Sequence, residues 1–152
     1  MRYYHYVQIV CMRFTLLFIG FLVLDQLTKL IAQDMLAEPH WFIPEQIGFR
    51  LGFNEGIAFS LPLTGFLSIG VVLLVVTALF IWYSRVEKSL IHDVSFALVI
   101  GGALGNLVDR LRFGAVVDFL QVYSWPIFNL ADSFITVGFL LLLVASARKE
   151  VS

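Results

Sequence analysis

Residues 101–132 read GGALGNLVDRLRFGAVVDFLQVYSWPIFNLAD, and the fold turns on how that stretch is understood. One long apolar run leads into it and another leaves it. Between them stand Asn106, Asp109, Arg110, Arg112, Asp118, Asn129 and Asp132. Such a polar cluster is out of keeping with a chain that is 60% hydrophobic and only 14% charged. Two of its carboxylates, Asp118 and Asp132, fall where the chain passes between a span and the surface. Paired acids that share one proton are a known means of activating water.

Outward from this stretch, the rest of the chain is mostly membrane. The mean hydropathy is +0.91, far more apolar than one water-excluded core of a 152-residue domain needs. A single polytopic domain over 1–152 is expected. Spans are expected at about 14–32, 66–83, 91–110 and 129–147, a four-helix, all-α architecture. At about 1.5 Å per residue, a helix over 14–32 crosses a hydrocarbon core of about 30 Å. Arg13 and the apolar run to Leu24 have the look of a signal peptide. The run continues through Leu27, Leu30 and Ile31 without a small-x-small site, so an uncleaved first span is expected. Residues 1–13 read as a polar-aromatic lead-in without a fold of their own, and Cys11, preceded by bulky Val10, as an unmodified thiol.

Residues 33–62 break the helical pattern. Over 47–53, Ile47, Phe49, Leu51 and Phe53 alternate with Gly48, Arg50 and Gly52, the period of a strand with one buried face. Glu55-Gly56 makes a turn, and Ile57, Phe59 and Leu61 suit a return strand. Trp41 and Phe42 fit the interfacial aromatic belt. A small extracytoplasmic β-like cradle is expected here. Residues 84–93 read as a polar link and 111–127 as a second outer loop.

Four spans put both termini on one side. Arg2, Arg13, Arg85, Lys88, Arg148 and Lys149 fall on that side, against Lys29, Arg50, Arg110 and Arg112 on the other. The basic excess points the termini into the cytoplasm. Net charge is −1, so nucleic-acid binding has no compositional support. With Cys11 the only cysteine, no intrachain disulfide forms, and His5, His40 and His92 are too scattered for a metal site. No cofactor is called for.

Several polar residues lie where lipid should exclude them. Asp25 and Lys29 are one turn apart on the first span. They read either as a self-contained pair or as support for a site. Gly101 and Gly105 form a small-x-x-x-small pair that permits close helix approach. Asn106 and Arg110 share a face, with Asp109 assigned to another. Arg110 reads either as snorkelling to headgroups or as reaching into a site. Asp118 alone looks like loop filler. Asp132 suits a helix N-terminus, with Asn129 as its cap. With the termini inside, Asp25, Asn54, Asn106, Arg110, Asp118, Asn129 and Asp132 all map to one outer zone. A small ion-coupled transporter would sooner place acids near the midplane, and a non-enzymatic membrane subunit would not need two acids beside three asparagines.

The pieces Asp25-Gln-x-Thr-Lys29, Asn54-x-Gly56-x-x-Phe59, Gly101-Gly-x-x-Gly105-Asn106-x-x-Asp109-Arg110, Val117-Asp118-Phe119 and Phe128-Asn129-x-Ala131-Asp132 closely resemble the bacterial lipoprotein signal peptidase family, signal peptidase II. The resemblance covers nearly the whole chain apart from the residues before Met12. It implies a metal-independent aspartyl endopeptidase of the bacterial inner membrane, with Asp118 and Asp132 as the catalytic dyad. Asn54, Asn106, Arg110 and Asn129 would form a polar shell supported by Asp25 and Lys29. The implied substrate is a prolipoprotein whose cysteine carries diacylglycerol, cut just before that cysteine at the outer face of the membrane. The implied inhibitors are cyclic peptide antibiotics. Membrane lipid is the expected surroundings, and nothing in the sequence requires a partner chain, so a monomer is expected.

Overall fold

The structure is a computed structural model that describes residues 2–56 and 66–149. Among the described residues, four helices and three strands run in the order α1 (Arg2–Met35), β1 (His40–Ile43), β2 (Ile47–Asn54), α2 (Phe66–Arg85), α3 (Leu90–Phe113), β3 (Val116–Val122) and α4 (Leu130–Lys149). All four helices are long and apolar enough to cross a membrane. The expected return strand at Ile57, Phe59 and Leu61 lies outside the described residues.

The bundle is built around α3. In its apolar window 72% of residues are buried, against 11–22% in the other three spans. That difference explains the sequence: α1, α2 and α4 turn side chains such as Leu16, Leu74 and Leu140 outward as a lipid-facing surface, while α3 affords polar and small residues because its neighbours cover them. Two glycine faces let those neighbours in. Gly101 and Gly105 lie against Phe18, Phe21 and Asp25 of α1, and a Cβ at Gly102 would stand 2.5 Å from the Ala131 carbonyl of α4. Phe14, Val76, Phe96, Ile100 and Leu142 close the apolar core between the helices.

Two elements differ from the sequence expectation. Residues 2–13 are not a separate lead-in. They are the first turns of α1, with no glycine or proline before Gly20 to stop the helix. Val10 and Phe14 are buried, and Arg13 donates from Nε to Asp93 Oδ2 at 2.7 Å. The second loop, expected over 111–127, contains the strand β3. Helix α3 stops where Gly114 takes φ 74° and its N–H bonds to the Arg110 carbonyl, and the chain then pairs with β2.

The sheet order is β1-β2-β3, antiparallel throughout. Phe49 faces Leu120 and Gly52 faces Asp118, so β2 spends one extra residue between them, a bulge. The bulge interrupts the alternation seen in the sequence. Phe49 and Leu51 pack over Ala32, Leu36 and Phe119, whereas Phe53 is left 56% exposed. It also places Gly52, which has no side chain, opposite Asp118.

Candidate active site

Three segments meet at the sheet end of the bundle: the start of α4, the last turns of α3 and strand β3. Asn129 caps α4. Its Oδ1 accepts from Asp132 N at 2.9 Å, while Asp132 Oδ2 accepts from Asn129 N at 3.2 Å. This reciprocal capping box consumes one oxygen of each side chain and leaves the Asn129 amide nitrogen free to reach outward. That nitrogen donates to Asp118 Oδ1 at 2.6 Å and to Asn106 Oδ1 at 3.1 Å. Asn106 Nδ2 in turn donates to Asp132 Oδ1 at 2.8 Å. Two acids from different elements are thus joined through two asparagines.

Asp118 is 3% exposed and Asp132 is half-buried. Burial, then the neighbouring charge of Asp132, pushes the Asp118 carboxyl up to about 7. Hydrogen bonds from Asn54 and Asn129 and the charge of Lys29 pull the other way without cancelling the rise. Asp118 is therefore a carboxyl that holds a proton close to neutral pH, beside an acid whose two oxygens both accept N–H bonds.

Around the pair lies a connected support. Lys29 Nζ, 1% exposed, reaches Asp25 Oδ2 at 2.9 Å, Asp109 Oδ2 at 2.8 Å and Asn106 Oδ1 at 2.8 Å. Asp25 Oδ1 accepts from Ala131 N at 3.0 Å in the first turn of α4. Asp109 Oδ2 accepts from Val117 N at 3.1 Å, the residue before Asp118. Arg110 does not extend as a free snorkelling side chain. Its Nη2 donates to the Gly56 carbonyl at 2.9 Å and its Nη1 to the Asn106 carbonyl at 3.3 Å. The turn it holds is closed by Asn54 Oδ1, which accepts from Gly56 N at 3.0 Å.

The structure gathers all eight site residues named from the sequence, Asp25, Lys29, Asn54, Asn106, Arg110, Asp118, Asn129 and Asp132. It corrects two readings. Asp118 is a strand residue rather than a loop one, and Asp109 shares the Asn106 face, since Lys29 touches both. Positions three apart on a helix are neighbours, which was the missed signal. Gln26 was also missed. Its Nε2 bridges Asp25 Oδ2 at 3.2 Å, the Gly105 carbonyl at 3.1 Å and Asp109 Oδ1 at 3.1 Å. A glutamine beside an intramembrane acid was the available clue. Among the described residues no group of three or more His, Cys, Asp or Glu side chains is gathered as a metal site.

A membrane-spanning bundle with a coupled acid pair at one end fits an intramembrane hydrolase of the acid–base type. Comparison with known proteins makes this specific. A family profile for signal peptidase (SPase) II matches residues 17–148. The lipoprotein signal peptidase of Halothermothrix orenii is 40% identical over 132 residues, covering 85% of this chain and 91% of the relative. That of Geobacter sulfurreducens is 41% identical over 150 residues, covering 90% and 92%. A solved bacterial membrane enzyme, determined by the in meso method at 2.3 Å resolution, superposes with a TM-score of 0.80 at 29% identity, covering 90% of this chain and 88% of that one. The chain belongs to the signal peptidase II family. It is accordingly a multi-pass membrane enzyme, an aspartic endopeptidase that works without a metal and processes lipoprotein precursors.

Proposed function

We propose that Asp118 and Asp132 are the catalytic dyad and that the chain cuts diacylglyceryl-modified prolipoproteins just before the lipidated cysteine. The observation that carries this reading is the chain Asp118–Asn129–Asn106–Asp132, which couples two acids from separate elements. In the reaction, the Asp132 carboxylate takes a proton from water as the water oxygen attacks the scissile carbonyl carbon. Protonated Asp118 donates to the carbonyl oxygen, giving a tetrahedral diol. Asp132 then gives its proton to the amide nitrogen while a diol hydroxyl returns one to Asp118, the C–N bond breaks, and the products are a signal peptide carboxyl group and a free cysteine amine. The raised affinity of Asp118 for its proton suits the donor role. All the groups used come from one chain.

A signal helix arrives with its carbonyls already bonded, so its last turn must unwind. Asn54 and Arg110 offer polar partners beside the dyad for the freed backbone groups. The outward apolar faces of α1, α2 and α4 suit a substrate that approaches through the lipid.

The deciding assay follows cleavage of lipidated and unlipidated precursor peptides by purified protein in lipid. Asp118→Asn and Asp132→Asn are each expected to lower kcat by 10²-fold or more while both proteins stay folded, on the order of a lost general acid or base. Near-normal turnover by either variant, or equal cutting of unlipidated precursor, defeats the reading. For orientation we propose cytoplasmic termini and a dyad near the outer face, on the basic excess at the terminal side. A fluorescent protein fused after Ser152 should then fold and glow, and an alkaline phosphatase fused there should stay inactive.

A further inference from the structure

Helices α1, α2 and α4 all pack on α3, so three seams run along it. A substrate that comes through lipid reaches the dyad along one of them. Two are shut by side chains. Between α1 and α4, the ring centroids of Phe21 and Phe134 are 5.0 Å apart, and nearer the sheet Asp25 Oδ1 accepts from Ala131 N at 3.0 Å. Between α1 and α2, Phe14 stacks on Tyr83 with centroids 4.3 Å apart and meets Phe80 edge-on at 6.2 Å. The third seam, between α2 and α4, is different. Among the described residues these two helices lean on α3 rather than on each other, and no ring pair joins them.

Helical period says what lines this seam. On α4, Ala131, Ile135, Gly138 and Leu142 meet α3 and the core, and Phe134 turns to α1. Asp132, Phe139 and Leu143 share the stripe on the opposite flank, where Phe139 and Leu143 are exposed. On α2, Val72, Val76 and Leu79 enter the core and Phe80 turns to α1. That leaves Val75 and Ala78, both exposed, on the flank toward α4. On α3, Gly101 and Gly105 face α1, Gly102 faces α4, and Phe96 meets the rings of Trp82 and Tyr83 from α2. Ala103 and Arg110 fall between the α4 and α2 sides, both half-buried. The seam therefore has apolar walls and a small residue on its floor. It runs up to the dyad: Asp132 heads the α4 wall, and Arg110, holding the Gly56 carbonyl, stands at the sheet end of the floor.

Resting on the dyad and substrate assigned above, we propose that the seam between α2 and α4 is the docking surface for the signal helix of the precursor. The helix lies over Ala103, between Val75 and Ala78 on one side and Phe139 and Leu143 on the other, and its last turn unwinds beside Asp132. Three observations choose this occupant. The seam is continuous with the dyad, and the bond to be cut stands at the end of an apolar helix. Its length fits: Asp132 to Leu143 spans about 16 Å at about 1.5 Å per residue, and an apolar signal segment of about 7–15 residues makes a helix of about 10–22 Å. Its small residues, Ala103 and Ala78, allow a helix backbone to come close, which is how helices associate where lipid and side chain are equally apolar. The rival occupants are lipid chains and a second copy of this protein.

The test reads position apart from turnover. Full-length protein in lipid carries the photoreactive residue benzoylphenylalanine in place of Val75 or Leu143, or, as controls, in place of the exposed Leu16 or Leu27 of α1. A diacylglyceryl-modified precursor peptide, labelled in its signal helix, is added and the sample is illuminated. Adducts to the labelled helix are expected at 75 and 143 and not at 16 and 27. Equal labelling at the α1 positions, or seam adducts only to lipid or to a second copy of the chain, overturns the proposal. A second arm narrows the seam. Ala78→Trp should raise KM for the precursor about tenfold with kcat within about twofold, the signature of lost uniform binding, and Leu27→Trp should change neither. An unchanged KM in Ala78→Trp overturns the proposal as well. The two readings fail separately. Loss of activity in Asp118→Asn and Asp132→Asn would stand without any seam adduct, and seam adducts would stand if those variants kept full turnover.

Discussion

At the level of one residue, a pH dependence is expected from Asp118. Its folded-state carboxyl is held near 7, above the ordinary 3.8, chiefly because burial penalises the anion. If the protonated form polarises the carbonyl, kcat falls as pH rises through about 7, and a pH–rate profile with lipidated precursor checks this. Stability moves in the same direction. The folded chain binds a proton that the unfolded chain has already released between pH 3.8 and about 7. The associated stability is fully present below that window and is lost as pH rises across it. Thermal unfolding in detergent at several pH values should therefore show a flatter dependence in Asp118→Asn than in the wild type.

Contact between α3 and α4 is an element-scale condition for the site. Gly102 lies against the Ala131 carbonyl, and Ala131 sits between Asn129 and Asp132. Gly102→Ala adds a methyl where the backbone of α4 already is, a form of overpacking that costs about 1–3 kcal/mol. The expected result is a lower Tm together with a fall in kcat, since α4 must withdraw and take Asp132 from Asn106. Gly20→Ala, on a helix face with nothing near its added Cβ, is the control and should change neither. The spans that carry these contacts were legible because bilayer thickness writes itself as unbroken apolar runs. Strand β3 was not. Residues Val116 to Phe119 are buried without alternation, so the period that revealed β2 is missing, and Asp118 in their midst looked like loop. The bulge in β2 left no mark in composition either. In the site, the acid pair stood out as polar residues in an apolar chain, and family resemblance sharpened it. Of the Lys29 hub only the local Asp25 pair stood out, because its other two partners come from positions 106 and 109 and only folding brings them near.

Across the whole molecule, the two ends of the bundle hold different kinds of ion pair. Away from the sheet, Asp93 is fully buried and accepts from Arg13 and, at 2.8 Å, from the Tyr83 hydroxyl, so one acid ties α1, α2 and α3 together. Lys88 bonds the Tyr83 carbonyl and lies over its ring at 3.7 Å. None of these groups touches the dyad. Asp93→Ala is expected to lower the Tm in detergent by several degrees while kcat/KM stays within about twofold, because breaking a buried pair strands its partner without reaching the acids. Parallel measurement of unfolding and of precursor cleavage separates the two ends.

The central position of α3 has a consequence for how the protein is made. Its span has a mean hydropathy of 1.5, the lowest of the four, and it contains the buried acids Asp93 and Asp109. An ionised Asp without a partner is costly within a span. Both acids take their cations, Arg13 and Lys29, from α1. Synthesis proceeds from the N-terminus, so the neutralising charges are already in the bilayer when the acids leave the ribosome. A rearranged gene that begins with α3 and ends with α2 would encode every contact and reverse that order, sending the least apolar span into lipid ahead of its counter-charges.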